Sequence, residues 1–291
     1  MPTFPSWEAT VLEETYDHVE YISLHSYYGN RSDDLAGYLA KSIDMERFIR
    51  SVVATADYVK AKKRSNRTID LAFDEWNVWF HSNEQDKEIE PWSVAPPLLE
   101  DIYTHEDALL VGSLLLTLLR NADRVKIACQ AQLVNVIAPI MTVAGGPAWR
   151  QTIFYPFAQA AAAARGVAMN AIVSSPQYET KEFGAVDQLD AAAVHNREDG
   201  SVTVLCVNRG RTELPLEVRL GGFGRPAGNG AVEHTSLAHD DPKATNGPEG
   251  ETVRPRVLPA SRFEGGSATV AVPGLSWNVI RLVPEGARAE S

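Results

Sequence analysis

Between residues 16 and 165 the chain alternates β-rich and helical segments, and it does so only three times. That count constrains the fold more than any other feature. Alternation of this kind builds parallel strands joined by crossover helices. Three βα units cannot close an eight-stranded barrel, however, and an open three-stranded parallel sheet would leave a long apolar edge strand without a partner. The pattern therefore predicts either a small open α/β layer or a sheet completed by sequence beyond these residues. Trp7, Val11 and Leu12, already in helical spacing at the start of the chain, favour the second.

The first strand is expected over Val19–His25, followed by a helix with Met45, Phe48, Ile49, Val52, Val53, Ala56 and Val59 on one face. The second strand is expected over Ile69–Phe73 and the third over Val125–Cys129, with an alanine-rich helix from Phe157 to Arg165 after it. The helix between them should open with Thr104 as N-cap and with Glu106 and Asp107 in its first turn. Ahead of it, Trp76 to Thr104 reads as a long loop rich in charge, proline and tryptophan, and loops of that length usually carry function.

Beyond Gly166 the texture changes to short alternating runs: Ala191–Val194, Val202–Val207, Leu216–Leu220, Ala268–Val272 and Val279–Leu282. Asn196 to Gly200 reads as a hairpin turn, and the Gly- and Pro-rich stretch from Gly221 to Pro259 reads as loops between strands. This is the pattern of a β-sandwich. The expected organisation is α/β plus all-β, with residues 1–165 forming the first unit and 166–288 the second.

Several functional classes find no support. The net charge is −11 and the basic cluster Lys60 to Arg64 sits at a helix end, so nucleic acid is a poor partner. The seven histidines are scattered and no zinc, phosphate-loop or nucleophile-elbow motif occurs, so neither a metal nor a cofactor is expected. Cys129 and Cys206 each lie inside an apolar run and read as core residues of a reduced compartment. Leu109 to Leu119 is too short to span a membrane, and nothing before Pro5 resembles a signal peptide.

Chemistry concentrates in Asp74-Glu75-Trp76-Asn77-Val78-Trp79, which follows directly on the second strand. A carboxylate there can attack an anomeric carbon or stabilise the cation forming on it, while flat indoles bind the apolar side of a sugar ring. Period-two alternation predicts that only one of Asp74 and Glu75 faces the site. His25 and Tyr27 share a face at the end of the first strand, within reach of that carboxylate. After the third strand, Gln132 reads as a buried amide in an apolar run, in need of partners that sugar hydroxyls would supply.

These stretches resemble the α-L-arabinofuranosidases of glycoside hydrolase family 51, with a likeness running from about Pro5 to Pro284. It rests on Tyr21-Ile22-Ser23-Leu24-His25, Tyr27-Tyr28-Gly29-Asn30, Asp74 to Trp79 and Ala131 to Val136, and also on Lys243 to Asn246 and Leu275 to Leu282. The resemblance implies the last three units of a (β/α)8 TIM barrel, followed by a jelly-roll β-sandwich. It implies Glu75 as the nucleophile of a retaining enzyme, His25 and Tyr27 lining the pocket, Gln132 bonding the arabinose and Trp79 walling the entrance. Arabinofuranosyl oligosaccharides would be the substrates, the location would be cytoplasmic, and a homo-oligomer is expected. The family's acid/base glutamate follows an asparagine on a strand that this chain lacks. Asn83-Glu84, in the loop after the second strand, is not a substitute. Two other readings stay open: a non-catalytic carbohydrate-binding or partner-completed protein, and a relative acting on β-glucan or xylan.

Overall fold

The computed structural model describes residues 3–221, 228–259 and 261–285. Its first half contains α1 (Ser6–Thr15), β1 (Tyr21–Tyr28), α2 (Leu35–Leu39), α3 (Ser42–Lys63), β2 (Asp70–Val78), α4 (His105–Arg120), β3 (Val125–Gln130), β4 (Ile140–Thr142), β5 (Ala148–Arg150) and α5 (Phe154–Ala163). The second half is β6 (Val167–Met169), β7 (Gln177–Thr180), β8 (Gly184–Asp187), β9 (Leu189–His195), β10 (Val202–Asn208), β11 (Leu214–Arg219), β12 (Gly230–Ala238), β13 (Arg256–Val257), β14 (Ser261–Phe263), β15 (Ser267–Val272) and β16 (Ser276–Pro284).

Strands β1, β2 and β3 form a parallel sheet in that order. Helix α3 covers one face because Met45, Ile49, Val52, Ala56 and Val59 recur at helical spacing and are fully buried, each larger side chain contributing about 2 kcal/mol of transfer free energy. Arg64 ends it in the left-handed region at φ 53°, and Lys60, Lys62 and Lys63 sit in the last turn, where the helix dipole favours cations. The opposite face of the sheet is open: Tyr21, Ser23, His25, Asp74 and Cys129 are exposed on it or at its edge. Parallel sheets are normally covered on both faces.

Helix α4 is the centre of the molecule, buried from His105 to Leu118. Thr104 and Asp107 form a capping box at its start, as the sequence predicts. Loop 239–247 completes the cap from the second half, since the Ala244 and Pro242 carbonyls accept the His105 and Glu106 amides at 2.8 and 2.9 Å. Further along, Gly112 lies against the Trp277 indole of β16, and a Cβ added there would meet Trp277 at 2.7 Å. The two family-like stretches of the second half, Lys243 to Asn246 and Leu275 to Leu282, thus both lie against α4.

The large antiparallel sheet runs β13-β12-β16-β10-β9-β6, with β14 also paired to β12. Alternation along β10 explains its two coverings. Leu205 and Val207 join the core around α4, whereas Val202, Val204 and Cys206 join a second core with Val218, Ala268 and Val270 from the β11–β15 pair. Buried Asp190 ties the halves together, pairing with Arg209 at 2.6 Å and with Arg120 of α4 at 2.7 Å. Burial works against its charge, but the two guanidinium groups outweigh that and lower its pKa.

Four expectations need correction. β2 runs on to Val78, so Asp74 and Glu75 lie within the strand rather than beyond its end, and Trp76 to Val78 belong to it rather than to the long loop. Cys129 is exposed, because β3 is an edge strand with one face uncovered, while Cys206 is buried and its thiol pushed up to about 12 by desolvation. The alanine-rich helix begins at Phe154 and ends at Ala163. The stretch from Gly221 to Pro259 holds nine-residue β12 and short β13. Its inward positions include His234 and Ser236, polar residues that hide the alternation, and His234 is satisfied by Asn278 at 3.0 Å. Residues 222–227 of that stretch, and the expected limit at residue 288, lie outside the described residues. Among the described residues no helix is long and apolar enough to cross a membrane.

Candidate active site

The site forms where β2 departs from regular pairing. Ser23 of β1 pairs with Ala72 but His25 pairs with Glu75, so β2 carries one residue more than its neighbour over this interval. Its pairing with β3 shows the same excess between Phe73 and Trp76. This is a β-bulge, and bulges re-aim side chains. Leu71 and Phe73 are buried before it, Trp76 and Val78 after it, and the consecutive residues Asp74 and Glu75 both turn to the open face. The expectation that only one of the pair faces the site is therefore corrected.

Both carboxylates meet His25. Its Nε2 lies 3.3 Å from Asp74 Oδ1 and its Nδ1 lies 3.6 Å from Glu75 Oε2. Ser23 donates its hydroxyl to Asp74 Oδ1 at 2.7 Å, and the Ser23 oxygen is 3.2 Å from His25 Nε2. Tyr27 donates to Glu75 Oε2 at 2.9 Å. Burial, followed by that hydrogen bond, pushes the Tyr27 hydroxyl up to about 12, so it remains a donor at neutral pH. His25 and Tyr27 thus share a face and both reach Glu75, as the alternation of β1 predicts.

Glu75 and Asp74 line a cavity of about 460 Å³ together with Gln130, Gln132, Leu133, Ile140 and Phe157. Gln132 is exposed in this cavity, which corrects the expectation of a buried amide. Trp79 packs edge-on against Tyr27, with ring centroids 5.3 Å apart. The two rings border a second cavity of about 420 Å³ with Gly29, Arg31 and Asn83. Glu84 bonds Lys87 at 2.6 Å and lines neither cavity. Among the described residues no group of three or more His, Cys, Asp or Glu side chains could hold a metal ion.

Behind the rim lies a buried polar layer that the sequence reading did not identify. Asn77, fully buried, donates to the Ala131 and Ile137 carbonyls at 2.5 and 2.7 Å and fastens the segment carrying Gln132 to β2. Asp101 accepts the Phe80, His81 and Ser82 amides at 2.8 to 3.0 Å, shaping the chain just after Trp79. Asp107 accepts Tyr38 at 2.6 Å, His81 at 2.8 Å and the Thr104 amide at 2.7 Å. Burial pulls the His81 pKa down, but its bond to Asp107 and the nearby Asp101 and Glu106 charges outweigh this and raise it. One signal was available in the sequence: polar Asn77 stands between Trp76 and Val78, where both neighbours are core.

Residues 74–276 match the sequence profile of the α-L-arabinofuranosidase C-terminal domain. The chain is 62% identical to an intracellular exo-α-(1→5)-L-arabinofuranosidase of Halalkalibacterium halodurans over 283 residues, covering 97% of this chain and 56% of that protein. It is 54% identical to the intracellular exo-α-(1→5)-L-arabinofuranosidase 1 of Bacillus subtilis, with the same coverages. Its structure superposes on a family 51 α-L-arabinofuranosidase from Bifidobacterium longum with a TM-score of 0.87 at 41% identity, covering 97% of this chain and 56% of that one. An arabinose complex of the Thermotoga maritima α-L-arabinofuranosidase gives 0.79 at 25% identity, covering 96% and 56%. The chain thus spans about half the length of the relatives it matches.

Proposed function

This chain belongs to the α-L-arabinofuranosidases of glycoside hydrolase family 51, and from that premise we propose that it supplies the nucleophile side of a retaining site that releases terminal α-L-arabinofuranosyl residues. The observation that carries the reading is Glu75, turned by the bulge into a 460 Å³ cavity and held by Tyr27 at 2.9 Å. Glu75 attacks the anomeric carbon, and water later releases the sugar with retained configuration. Tyr27 fixes the carboxylate, Gln132 offers its free amide to sugar hydroxyls, and Trp79 forms the wall on the leaving-group side.

The parallel sheet is read here as the last three strands of a (β/α)8 barrel, with residues 1–165 as its C-terminal part and 166–288 as a jelly-roll sandwich. The uncovered face and edges of β1 to β3 support this, because a barrel would enclose them. In this reading the general acid that protonates the leaving oxygen comes from residues outside this chain. The substrates are arabinofuranosyl oligosaccharides, the assembly is a homo-oligomer, and the location is cytoplasmic, by likeness to relatives named as intracellular.

Covalent trapping tests the nucleophile. A preparation that hydrolyses an aryl α-L-arabinofuranoside is treated with an arabinofuranosyl-configured epoxide and its peptides are mapped. A label on Glu75 supports the reading, and a label on Asp74 overturns it. The chain binding sugar without hydrolysing it, alone or with a complementing protein, would favour the non-catalytic reading instead.

A further inference from the structure

The protons around His25 can be assigned from their partners. Ser23 has one hydroxyl hydrogen and gives it to Asp74 Oδ1 at 2.7 Å, so toward the ring its oxygen can only accept. A carboxylate likewise only accepts. Both neighbours of Nε2, the Ser23 oxygen at 3.2 Å and Asp74 Oδ1 at 3.3 Å, therefore call for a hydrogen on Nε2. On the other edge of the ring, Nδ1 faces Glu75 Oε2 at 3.6 Å, beyond good hydrogen-bond length. When the ring carries a single proton, two nearer acceptors on the Nε2 side compete with one more distant acceptor on the Nδ1 side.

We propose that Asp74, acting with Ser23, is a positioning residue that keeps the proton of neutral His25 on Nε2 and so leaves Glu75 with Tyr27 as its single donor. This rests on the reading of Glu75 as the nucleophile. A hydrogen bond from Nδ1 would hold electron density on Oε2 that attack must deliver to the anomeric carbon. With the proton kept on the far edge, the imidazole packs beside Glu75 without binding it. The bulge makes the arrangement possible, because only there do consecutive carboxylates of one strand reach both edges of a single ring.

Nitrogen-15 spectra of histidine-labelled chain, recorded at about pH 9, above the ordinary imidazole range, report the tautomer directly, with His25→Gln providing the assignment. The expected result is an Nε2–H signature for His25. In Asp74→Asn, whose amide can donate toward Nε2, the proton moves to Nδ1, and in Ser23→Ala the spectrum becomes a mixture. Asp74 is half exposed and Ser23 exposed, so both variants should fold. An Nδ1–H signature in the parent chain, or an unchanged tautomer in Asp74→Asn, overturns the proposal. In a preparation that hydrolyses aryl arabinofuranoside, Asp74→Asn should lower kcat about ten- to a hundredfold with little change in KM, the usual range for a group acting through another. An altered tautomer with unchanged kcat would also overturn it. Failure of Glu75 as the nucleophile would appear separately, as activity surviving in Glu75→Ala, and would leave the tautomer result standing.

Discussion

The Tyr27 hydroxyl reaches across from β1 to β2 and donates to Glu75 Oε2 at 2.9 Å. Tyr27→Phe keeps the ring, including its edge contact with Trp79, and removes only this bond. In a preparation that hydrolyses aryl arabinofuranoside, steady-state kinetics should show kcat lowered about tenfold, corresponding to about 1.4 kcal/mol, with the thermal midpoint nearly unchanged. A loss of folding stability equal to the loss of activity would assign Tyr27 to packing instead.

Glu75→Gln conserves shape and removes the attacking charge. Turnover should fall by about three orders of magnitude or more, the scale on which nucleophile deletions operate, while circular dichroism stays that of the parent. Near-normal turnover would exclude Glu75 from the role proposed for it.

Asp107 bonds Tyr38, His81 and both the amide and the hydroxyl of Thr104. Asp107→Ala leaves a buried hydroxyl and a helix N-cap unsatisfied and should lower unfolding stability by about 3 kcal/mol in urea titrations. It should also raise KM, because the His81 side chain, two residues after Trp79, loses its bond to Asp107. A stability change below about 1 kcal/mol would mean that the layer behind the site is redundant.

Acid sensitivity should trace partly to His105. Its Nε2 donates to the Leu275 carbonyl at 2.7 Å, its buried Nδ1 has no hydrogen-bond partner among the described residues, and desolvation lowers its pKa to about 4. The folded state therefore binds fewer protons than the unfolded state between the ordinary imidazole value of about 6.5 and the folded value of about 4. The stabilisation is fully present above about 6.5 and is lost as pH falls toward about 4, by up to about 3 kcal/mol. His105→Gln keeps a donor for Leu275 and should flatten the stability profile over that window. An unchanged slope would place the sensitivity elsewhere.

Gly112→Ala should destabilise by about 1 to 3 kcal/mol, the usual cost of overpacking, even though alanine is the better helix former. The new methyl meets the Trp277 indole at 2.7 Å, and Trp277 is fully buried with its indole nitrogen bonded to Gln159 at 3.0 Å. Thermal melts decide the sign. A gain in stability would mean that β16 can yield.

Much of this was legible in the sequence, and where legibility failed there is a physical reason. The apolar face of α3 and the Thr104 cap could be read because each depends on local spacing alone. β12 could not, because polar His234 and Ser236 stand at inward positions, His234 satisfied by Asn278 far along the chain and Ser236 with a hydroxyl that has no hydrogen-bond partner among the described residues. Cys129 misled because an apolar run does not reveal that its strand lies at an edge with one side bare. That His25 and Tyr27 meet Glu75 could be read from their places on neighbouring strands. The contribution of Asp74 was not, since alternation sends neighbouring side chains to opposite faces and nothing in the local sequence signals an inserted residue.

That inserted residue acts as a phase switch along β2. Up to Phe73 the odd-numbered positions are core; from Trp76 onward the even-numbered ones are. The strand is therefore read in two frames, one that seats the helix layer and one that presents chemistry, and sequence change in either frame leaves the other in register. Removing any one residue between Phe73 and Trp76 would merge the frames. Trp76 would stay on the core side, in plain alternation with Phe73, but the open face would keep a single carboxylate and His25 would lose one of its two acidic neighbours.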